Sequence, residues 1–532
     1  MWSASRLLKK LTNNSWISIP AAFLYAISPV SIAAIGAGRL ATLVILILAP
    51  IVAAVIYQWE TIEVLSWRRI FLVALLFSVL YAFTLMSFVI ALTIAILSSL
   101  SDYYWGVRVS NPELLKHRLI KRAALVFVPF FVNLPYSLEA ITKPNLFLTE
   151  PGLLVPGGGL LQTLLGNPGG GLPIWLISPI FLILVFSLFS STNARRIAEY
   201  GIALLALGVV IGSLSISTHG NFSETKIWTG PVIAFVSLAA VCAGTVLLDR
   251  LRQTLVLSHV HYRHFLSALL LFVTLAYAIA ATGWNITKGA DSVVQANRAT
   301  VMPAFLNVEA DTKILVLREV GSTNEKRIQF YISRGKDVSL GEPDVAPIQT
   351  EAIVQAARGL IDGTGITSST TLSEYGIKYI FFKTPLKLGI VRAIDGLGGF
   401  VRTSATAIGV VWQVAAPTGR LIFVAEDGKK TVLNSGEFGA RTSVPKAGSL
   451  ILTETYSRSW QILQNGVRLE RNKNEQGLPT FKVLEAGEIS LLHDGTIRRG
   501  WLSLQIIFLV VVIVMALPAG RRKREISEKE LA

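Results

Sequence analysis

Charged residues are scarce in this sequence: Lys, Arg, Asp and Glu together make up only 15% of its 532 residues. Soluble domains carry roughly 25% charge. The mean hydropathy here is +0.57, so the composition excludes an ordinary soluble protein and indicates a membrane protein. Cysteine is almost absent too. Because Cys242 is the only cysteine, an intramolecular disulfide and a cysteine-based zinc site are both excluded.

Motifs of nucleotide chemistry are also missing. The sequence contains no GxxxxGK[ST] phosphate loop and no DxD triplet, which argues against a primary pump and against a nucleotide-sugar site. Ionisable side chains are nearly absent from the apolar segments, which argues against proton-coupled transport. The net charge of +16 would suit a nucleic-acid partner. Since the excess Lys and Arg fall in the loops between apolar segments, we expect them to orient loops in a membrane and predict no nucleic-acid partner.

Apolar segments long enough to cross a bilayer, about 20 residues each, occur throughout the sequence. One run, Ile70–Leu100, has no charged side chain and is too long for a single crossing. Basic residues flank it on both sides, so we expect a helical hairpin there. With this hairpin the sequence predicts about ten crossings. The other predicted crossings are Trp16–Gly36, Leu40–Gln58, Leu119–Leu138, Leu172–Ser190, Ala198–Ser217, Thr229–Leu248, Arg263–Trp284 and Trp501–Leu517.

The distribution of Lys and Arg predicts the orientation and the domains. Loops rich in Lys and Arg alternate along the chain with loops whose basic residues are Arg39, Lys143 and Lys226 alone. This pattern predicts that both termini are cytoplasmic and that residues 285–500 are extracytoplasmic. The predicted fold is thus a polytopic α-helical membrane protein with an extracytoplasmic α/β plus β-sandwich domain. Its predicted parts are residues 1–284 (all crossings but the last, with a Gly/Pro-rich outer loop at 139–171), 285–417 (α/β subdomain), 418–499 (β-sandwich subdomain) and 500–532 (final crossing and basic tail).

Four residues are candidates for chemistry on a lipid-linked sugar. Glu139 follows a crossing and Glu150 lies in the outer loop, where a membrane transferase needs a carboxylate as a base or to hold a cation against phosphate. Arg39 lies between two spans and could pair with a lipid phosphate. Trp460, near a strand edge with Tyr456, could stack on a sugar ring. A structural role is the alternative for each of the four.

A histidine cluster near the end of the apolar region is a candidate metal site. The segment Ser258–His264, SHVHYRH, places three histidines close together at the start of a crossing. No carboxylate or cysteine lies nearby, so we favour an interfacial anchor and predict no metal site.

Several stretches share a loose pattern of apolar, Gly and Pro residues: FLYAISPVSIAAIGAGRLATLV, LPYSLEAITKPNLFLTEPGL, LLGNPGGGLPIW, WTGPVIAF and YGIKYIFF. In these stretches the chain resembles the membrane-bound C-terminal part of large actinobacterial family 2 glycosyltransferases. A later stretch, LILTETYSRSWQILQNGVRL, resembles the outer β-domain of bacterial YfhO-like membrane proteins, which are linked to glycosylating cell-wall polymers. The resemblance covers nearly the whole chain.

The resemblance implies a bacterial plasma-membrane protein of cell-envelope polysaccharide or glycolipid assembly. It would act on or present polyprenyl-linked sugars at the outer face, with membrane lipid, polyprenyl-phosphate sugar and a separate cytoplasmic glycosyltransferase as partners. In that family a cytoplasmic catalytic domain precedes the spans. This sequence lacks it, so we expect a truncated or split product, or a membrane half that works with a separate transferase.

Two alternatives stay open beside this interpretation. One is a non-catalytic membrane platform whose outer domain binds glycan or a partner transferase. The other is a flippase-like transporter of lipid-linked sugar. The residues do not decide whether the chain is itself an enzyme, and they leave its cofactors unknown, a divalent cation being an option if it is catalytic.

Overall fold

A computed structural model shows two parts, a helical bundle (residues 1–292 and 496–516) and a sheet domain (residues 303–494). The structure describes residues 1–517 except 13, 62–65, 106–111, 151–156, 171, 174, 177, 191, 217–221, 223–224, 256–261, 293–302, 308–311, 321–326, 335–349, 385, 436–438 and 455.

The bundle consists mainly of apolar helices. Before the sheet domain its helices are α1 (Trp2–Leu11), α2 (Ser15–Ala26), α3 (Pro29–Gly36), α4 (Leu40–Thr61), α5 (Trp67–Phe83), α6 (Met86–Trp105), α7 (Pro112–Val132), α8 (Tyr136–Thr142), α9 (Leu160–Leu164), α10 (Ile180–Leu188), α11 (Thr192–Ser213), α12 (Gly230–Leu255) and α13 (Tyr262–Ser292). A two-stranded hairpin, β1 (Ser215–Ile216) and β2 (Thr225–Lys226), lies between α11 and α12.

The sheet domain begins with a mixed α/β layer. It contains β3 (Lys313–Val320), β4 (Arg327–Arg334), α14 (Glu351–Asp362), α15 (Ser368–Glu374), β5 (Ile377–Lys383), α16 (Leu388–Gly396), β6 (Phe400–Thr406) and β7 (Gly409–Val414). The sheet order is β4-β3-β5-β7-β6, and β3 and β5 run parallel. The helices cover one face. Leu315 and Leu317 of β3 are fully buried toward them, and Ile314 and Val316 are fully buried on the opposite face, as expected of a central strand.

A β-sandwich follows the α/β layer. Its strands are β8 (Leu421–Ala425), β9 (Lys430–Leu433), β10 (Gly439–Val444), β11 (Gly448–Leu452), β12 (Trp460–Gln464), β13 (Val467–Arg468), β14 (Arg471–Lys473), β15 (Pro479–Val483) and β16 (Gly487–His493). They form two sheets, β10-β16-β12-β13 and β14-β15-β11-β8-β9, with one shared core. Alternate residues of β12 are buried, which is the period-2 pattern of a strand with one face in the core. The predicted α/β plus β-sandwich architecture is therefore confirmed.

The last helix, α17 (Thr496–Ala516), leaves the β-sandwich and returns to the bundle. Phe508 contacts Phe131, Val512 is almost fully buried, and Arg68 donates a hydrogen bond to the carbonyl of Ala516 (3.1 Å). One narrow face of α17 therefore packs against α5 and α7, and most of its surface is left for lipid.

Six helical stretches are long and apolar enough to cross a membrane, or seven if a bent pair is one span, among the described residues. The six are Ser15–Gly36, Met86–Tyr104, Asn193–Ser213, Gly230–Arg252, Ala268–Gly289 and Thr496–Ala516. The chain is therefore a membrane protein with several apolar helices. The prediction of about ten crossings also counts shorter apolar helices such as Leu40–Val55.

Two predicted segments differ in outcome. The break expected inside Ile70–Leu100 is present, since α5 ends at Phe83 and α6 begins at Met86. The helix expected over Leu172–Ser190 is much shorter, because α10 begins only at Ile180. Pro173 and Pro179 explain the difference: proline lacks a backbone N–H and disfavours helix in the residue before it.

Candidate functional site

The buried carboxylate of Glu150 binds the first turn of α4. One carboxylate oxygen accepts a hydrogen bond from the Thr42 backbone N–H (2.7 Å), and the other accepts one from the Thr42 hydroxyl (2.6 Å). The Glu150 residue is only 1% exposed. Because the first N–H groups of a helix lack partners within the helix and carry its positive dipole end, Glu150 is a long-range cap for α4.

Two more side chains complete this cluster. The indole N–H of Trp228 donates to the Thr42 hydroxyl (3.0 Å), and the Arg39 guanidinium lies over the Trp228 ring at 5.3 Å from its centroid. Arg39 also donates to the backbone carbonyl of Glu150, and both Arg39 and Trp228 are buried. We call Arg39, Thr42, Glu150 and Trp228 the outer-loop cluster. It joins the α3–α4 link, the segment after α8 and the segment before α12.

The glycines of the predicted outer loop are explained by close backbone contacts. Gly157 forms an antiparallel bridge with Gly169, and the N–H of Gly158 donates to the carbonyl of Pro168 (2.7 Å). A Cβ on Gly158 would lie 2.6 Å from the carbonyl oxygen of Asn167, which is too close for any other residue. Gly170 has a positive φ of +72°, and a Cβ there would meet the Trp228 ring at 3.0 Å. These glycines pack backbone against backbone and against the outer-loop cluster.

The helix α8, which carries Glu139, turns sharply away from α7. The two helices are bent by 98°. At the bend, the Asn133 amide donates to the carbonyls of Ser78 (3.0 Å) and Pro129 (2.8 Å), and the Ser137 hydroxyl donates to that of Phe130 (2.7 Å). Backbone carbonyls at the end of a membrane helix need such partners, because lipid supplies none. Side-chain hydrogen bonds therefore stabilise the bend.

Glu139 itself is accessible. Its carboxylate pairs with the ammonium of Lys143 one turn later (2.5 Å), and the side chain is 52% exposed. The two thus form an exposed pair of opposite charges on a short helix at the end of an apolar one. Glu139 and Glu150, two candidates of the same kind in the sequence, therefore have opposite environments: the first is exposed and the second is buried.

The β1–β2 hairpin connects the bundle to the sheet domain. The Phe222 ring, between the two strands in sequence, packs against Phe330 of β4 with ring centroids 4.9 Å apart. Arg358 of α14 donates to the Phe222 carbonyl (2.6 Å). At its base, the carbonyl of Lys226 accepts a hydrogen bond from the N–H of Gly157 (3.4 Å). The hairpin therefore links the core of the α/β layer to the glycine-rich segment that contains Gly157.

Trp460 lies in the core of the β-sandwich. It is 9% exposed, Arg420 lies over its ring at 4.8 Å, and His493 packs edge-on at 4.5 Å. Its neighbour in the prediction, Tyr456, is 40% exposed, with Arg471 and Lys473 at 5.1 and 5.8 Å from the ring centroid. Of the two aromatic residues, Tyr456 is the one at the surface.

Metal-ligating groups do not converge where the structure can be described. No three or more His, Cys, Asp or Glu side chains come together there in a way that could hold a metal ion. The histidine cluster of Ser258–His264 falls largely in residues 256–261, outside the described residues.

Sequence reasoning found Arg39 and Glu150 but missed their partners. Thr42 and Trp228 lie in apolar surroundings 108 and 78 positions from Glu150, and nothing local marks them. Gln505 was also missed, although a lone amide within the apolar α17 was a signal.

Comparisons with known proteins give one distant likeness in fold. No family model matches the chain, and no curated protein matches it in sequence. The chain is similar in fold to a mycobacterial arabinofuranosyltransferase, AftD, known from single-particle cryo-EM, with a TM-score of 0.44 and 11% sequence identity. The matched region covers 90% of this chain and 49% of AftD, so the chain spans about half the length of that protein. At this distance the comparison assigns no role to any residue.

Proposed function

We propose that the chain is a membrane glycosyltransferase-type protein of the bacterial cell envelope that uses a polyprenyl-phosphate sugar, with Glu139 as its general base. The observation that carries this proposal is the exposed Glu139–Lys143 pair on α8, directly after a sharply bent apolar helix. A carboxylate and an ammonium side by side near a lipid surface match the two needs of the reaction. One group takes a proton and the other stabilises a phosphate.

The proposed step is a displacement at the anomeric carbon. An acceptor hydroxyl gives its proton to the Glu139 carboxylate while its oxygen forms a bond to the anomeric carbon. The bond from that carbon to the phosphate oxygen breaks, and the polyprenyl phosphate leaves with the electron pair. The Lys143 ammonium stabilises the negative charge that develops on the leaving phosphate.

Glu150 and Arg39 receive a different role. A base must reach the proton that it removes, and Glu150 is 1% exposed with both carboxylate oxygens bound to Thr42. Arg39 is buried against Trp228 and the Glu150 carbonyl. We therefore propose that both hold the outer segment in place, and that neither contacts substrate.

Two matched variants test this assignment. Glu139→Gln should lower transfer of sugar to the envelope polymer by about a hundredfold or more, with no change in the melting midpoint, because exposed i,i+4 pairs contribute little to stability. Glu150→Gln should lower the melting midpoint and lower activity only in proportion to the folded protein lost. Normal transfer by well-expressed Glu139→Gln protein would reject the enzyme proposal.

A platform function is the second candidate, favoured by the exposed Tyr456 ring beside Arg471 and Lys473. An aromatic ring with adjacent cations suits an acidic saccharide. Binding of anionic cell-wall oligosaccharides to the full chain, weakened about tenfold in Tyr456→Ala, together with unchanged transfer in Glu139→Gln, would support the platform.

We also propose that the protein resides in the bacterial plasma membrane with cytoplasmic termini and residues 285–500 outside. A separate cytoplasmic transferase that charges the lipid carrier is the proposed partner. Because Cys242 is the only cysteine, a Cys242→Ala background allows single cysteines to report sidedness. A cysteine at Lys446 should react with an impermeant maleimide in whole cells with an opened outer envelope, and one at Lys10 should not.

A further inference from the structure

The final helix reaches the bend that carries Glu139. The side-chain amide of Gln505 in α17 donates a hydrogen bond to the backbone carbonyl of Val132 (2.8 Å), although 373 positions separate them. Val132 is the last residue of α7, where helix carbonyls have no partner within the helix. Three residues further along α17, Phe508 packs edge-on against Phe131. Both contacts are made to the last two residues before the bend.

An amide at this position needs a reason. Polar side chains within membrane helices are expensive to place and usually face other helices. Gln505 lies on the packed face of α17, with Phe508 and the buried Val512, whereas Ile506 and Ile507 beside it are exposed. Its amide therefore supplies the hydrogen bond that the end of α7 needs.

The other end of this connection is fixed in the β-sandwich. The N–H of Asp494 donates to the carbonyl of Ser459 (2.7 Å), and the Asp494 carboxylate accepts from the Thr496 N–H (2.9 Å) and from the Gln461 amide (2.9 Å). Asp494 thus connects β12 to the first turn of α17. Gln505 follows Thr496 by nine positions, about 14 Å along a helix.

We infer that Gln505 is a positioning residue that holds the α7–α8 bend, and thereby Glu139, in register with the sheet domain. This inference rests on the proposed function of Glu139 for its catalytic consequence. Its mechanical part stands on the contacts alone. A displacement of the sheet domain moves the start of α17, and the Gln505–Val132 hydrogen bond carries that movement to the bend.

A distance measurement tests the mechanical part without any need for activity. In the Cys242→Ala background, spin labels are placed at Ile141 on α8 and at Lys446 in the sheet domain, two exposed positions. Double electron–electron resonance in lipid nanodiscs should give one narrow distance distribution. Gln505→Leu, which replaces the amide by an apolar side chain of similar size, should raise the share of displaced distances about threefold or more.

The controls separate positioning from general instability. Ser503→Ala, at an exposed position on the same helix, should leave the distribution unchanged. Gln505→Glu replaces the amide N–H by a carboxyl O–H that can donate only when the carboxyl is protonated, so the narrow distribution should be present at low pH and lost at neutral pH. If Gln505→Leu protein does not fold, Phe508→Ala removes the neighbouring contact and should broaden the same distribution. A Gln505→Leu or Phe508→Ala distribution equal to that of Ser503→Ala would overturn the inference.

The catalytic consequence is read separately. In protein that transfers sugar, Gln505→Leu should lower kcat at least threefold with little change in KM, because the base is displaced while the acceptor still binds. A broader distance distribution in Gln505→Leu, together with unchanged transfer in Glu139→Gln, would reject the proposed function and retain the mechanical link. An unchanged distance distribution in Gln505→Leu, together with reduced transfer in Glu139→Gln, would reject the mechanical link and retain the proposed function.

Discussion

The guanidinium of Arg39 donates a hydrogen bond to the backbone carbonyl of Glu150, 111 positions later in the chain. The Glu150 carboxylate in turn binds the N–H and the hydroxyl of Thr42, three residues after Arg39. Each segment therefore supplies one charged side chain that forms hydrogen bonds with the other segment. These reciprocal hydrogen bonds make the α3–α4 link and the segment around Glu150 one structural unit.

The first prediction concerns the Thr42 hydroxyl, which donates to Glu150 and accepts from Trp228. Thr42→Val keeps the shape of the side chain and leaves both partners short of one hydrogen bond in a buried site. We expect a loss of about 1–3 kcal/mol in the free energy of unfolding, measured as a lower melting midpoint in nanodiscs at a fixed scan rate.

Thr93→Val is the matched control for this prediction. The Thr93 hydroxyl donates to the carbonyl of Val89 within its own helix (2.8 Å), so its removal should leave the midpoint nearly unchanged. Equal midpoints for Thr42→Val and wild-type protein would mean that the cluster does not stabilise the fold.

The second prediction concerns the docking of the sheet domain through Phe222. Phe222→Ala removes the ring that packs on Phe330, and an aromatic pair contributes about 0.5–1.5 kcal/mol beyond the area that it buries. Hydrogen exchange should become about tenfold faster or more at the backbone amides of β4. Phe305→Ala, which removes a ring from the contact with Tyr379, is the control and should leave the amides at the Phe222 contact protected.

The third prediction concerns pH and the start of α17. Hydrogen bonds from the hydroxyl and the backbone N–H of Thr496, and from Gln461, hold the pKa of the Asp494 carboxyl below its ordinary value. Because the folded pKa is the lower one, this contribution to stability is present above the ordinary carboxyl pKa of about 4 and is lost as the pH falls through the folded pKa.

Asp494→Asn should therefore speed amide exchange in the first turn of α17 at neutral pH, and its difference from wild-type protein should shrink to nothing in strong acid. Asp427→Asn is the control. Its carboxyl pKa is also lowered, by the backbone N–H of Lys429 and the side chain of Lys446, but it is remote from α17 in sequence. An acid-independent difference for Asp494→Asn would contradict the assigned role of its charge.

Local patterns explain which parts of the fold the sequence predicts. The alternation of apolar and polar residues in β12 and the glycine at position 363 are signals that lie within a few residues of the element they mark. The strand is present, and α14 ends at Gly363, which has a left-handed backbone conformation. The hairpin within Ile70–Leu100 was predicted from the basic residues on both sides of this apolar run, but the position of its break at Thr84 was not. The helix over Leu172–Ser190 was too long because hydropathy does not register the backbone effects of Pro173 and Pro179.

Contacts between residues far apart in the chain could not be predicted from a single sequence. Glu139 and Glu150 stand eleven positions apart and look equivalent, and only the fold exposes the first and buries the second. The Trp228–Thr42 and Gln505–Val132 contacts span 186 and 373 positions. The site assignments therefore depend on tertiary structure, whereas the helices and strands depend mainly on local pattern.

The contact between Gln505 and Val132 also sets an order of assembly during synthesis. When the ribosome has completed α7, the partner of the Val132 carbonyl has not yet been made, and the entire sheet domain must be translated first. The nascent bundle therefore waits in the bilayer with an open seam along α5 and α7. Insertion of α17 closes this seam only after the sheet domain has been made, so a chain that stops before α17 would leave the facing surfaces of α5 and α7 exposed to lipid.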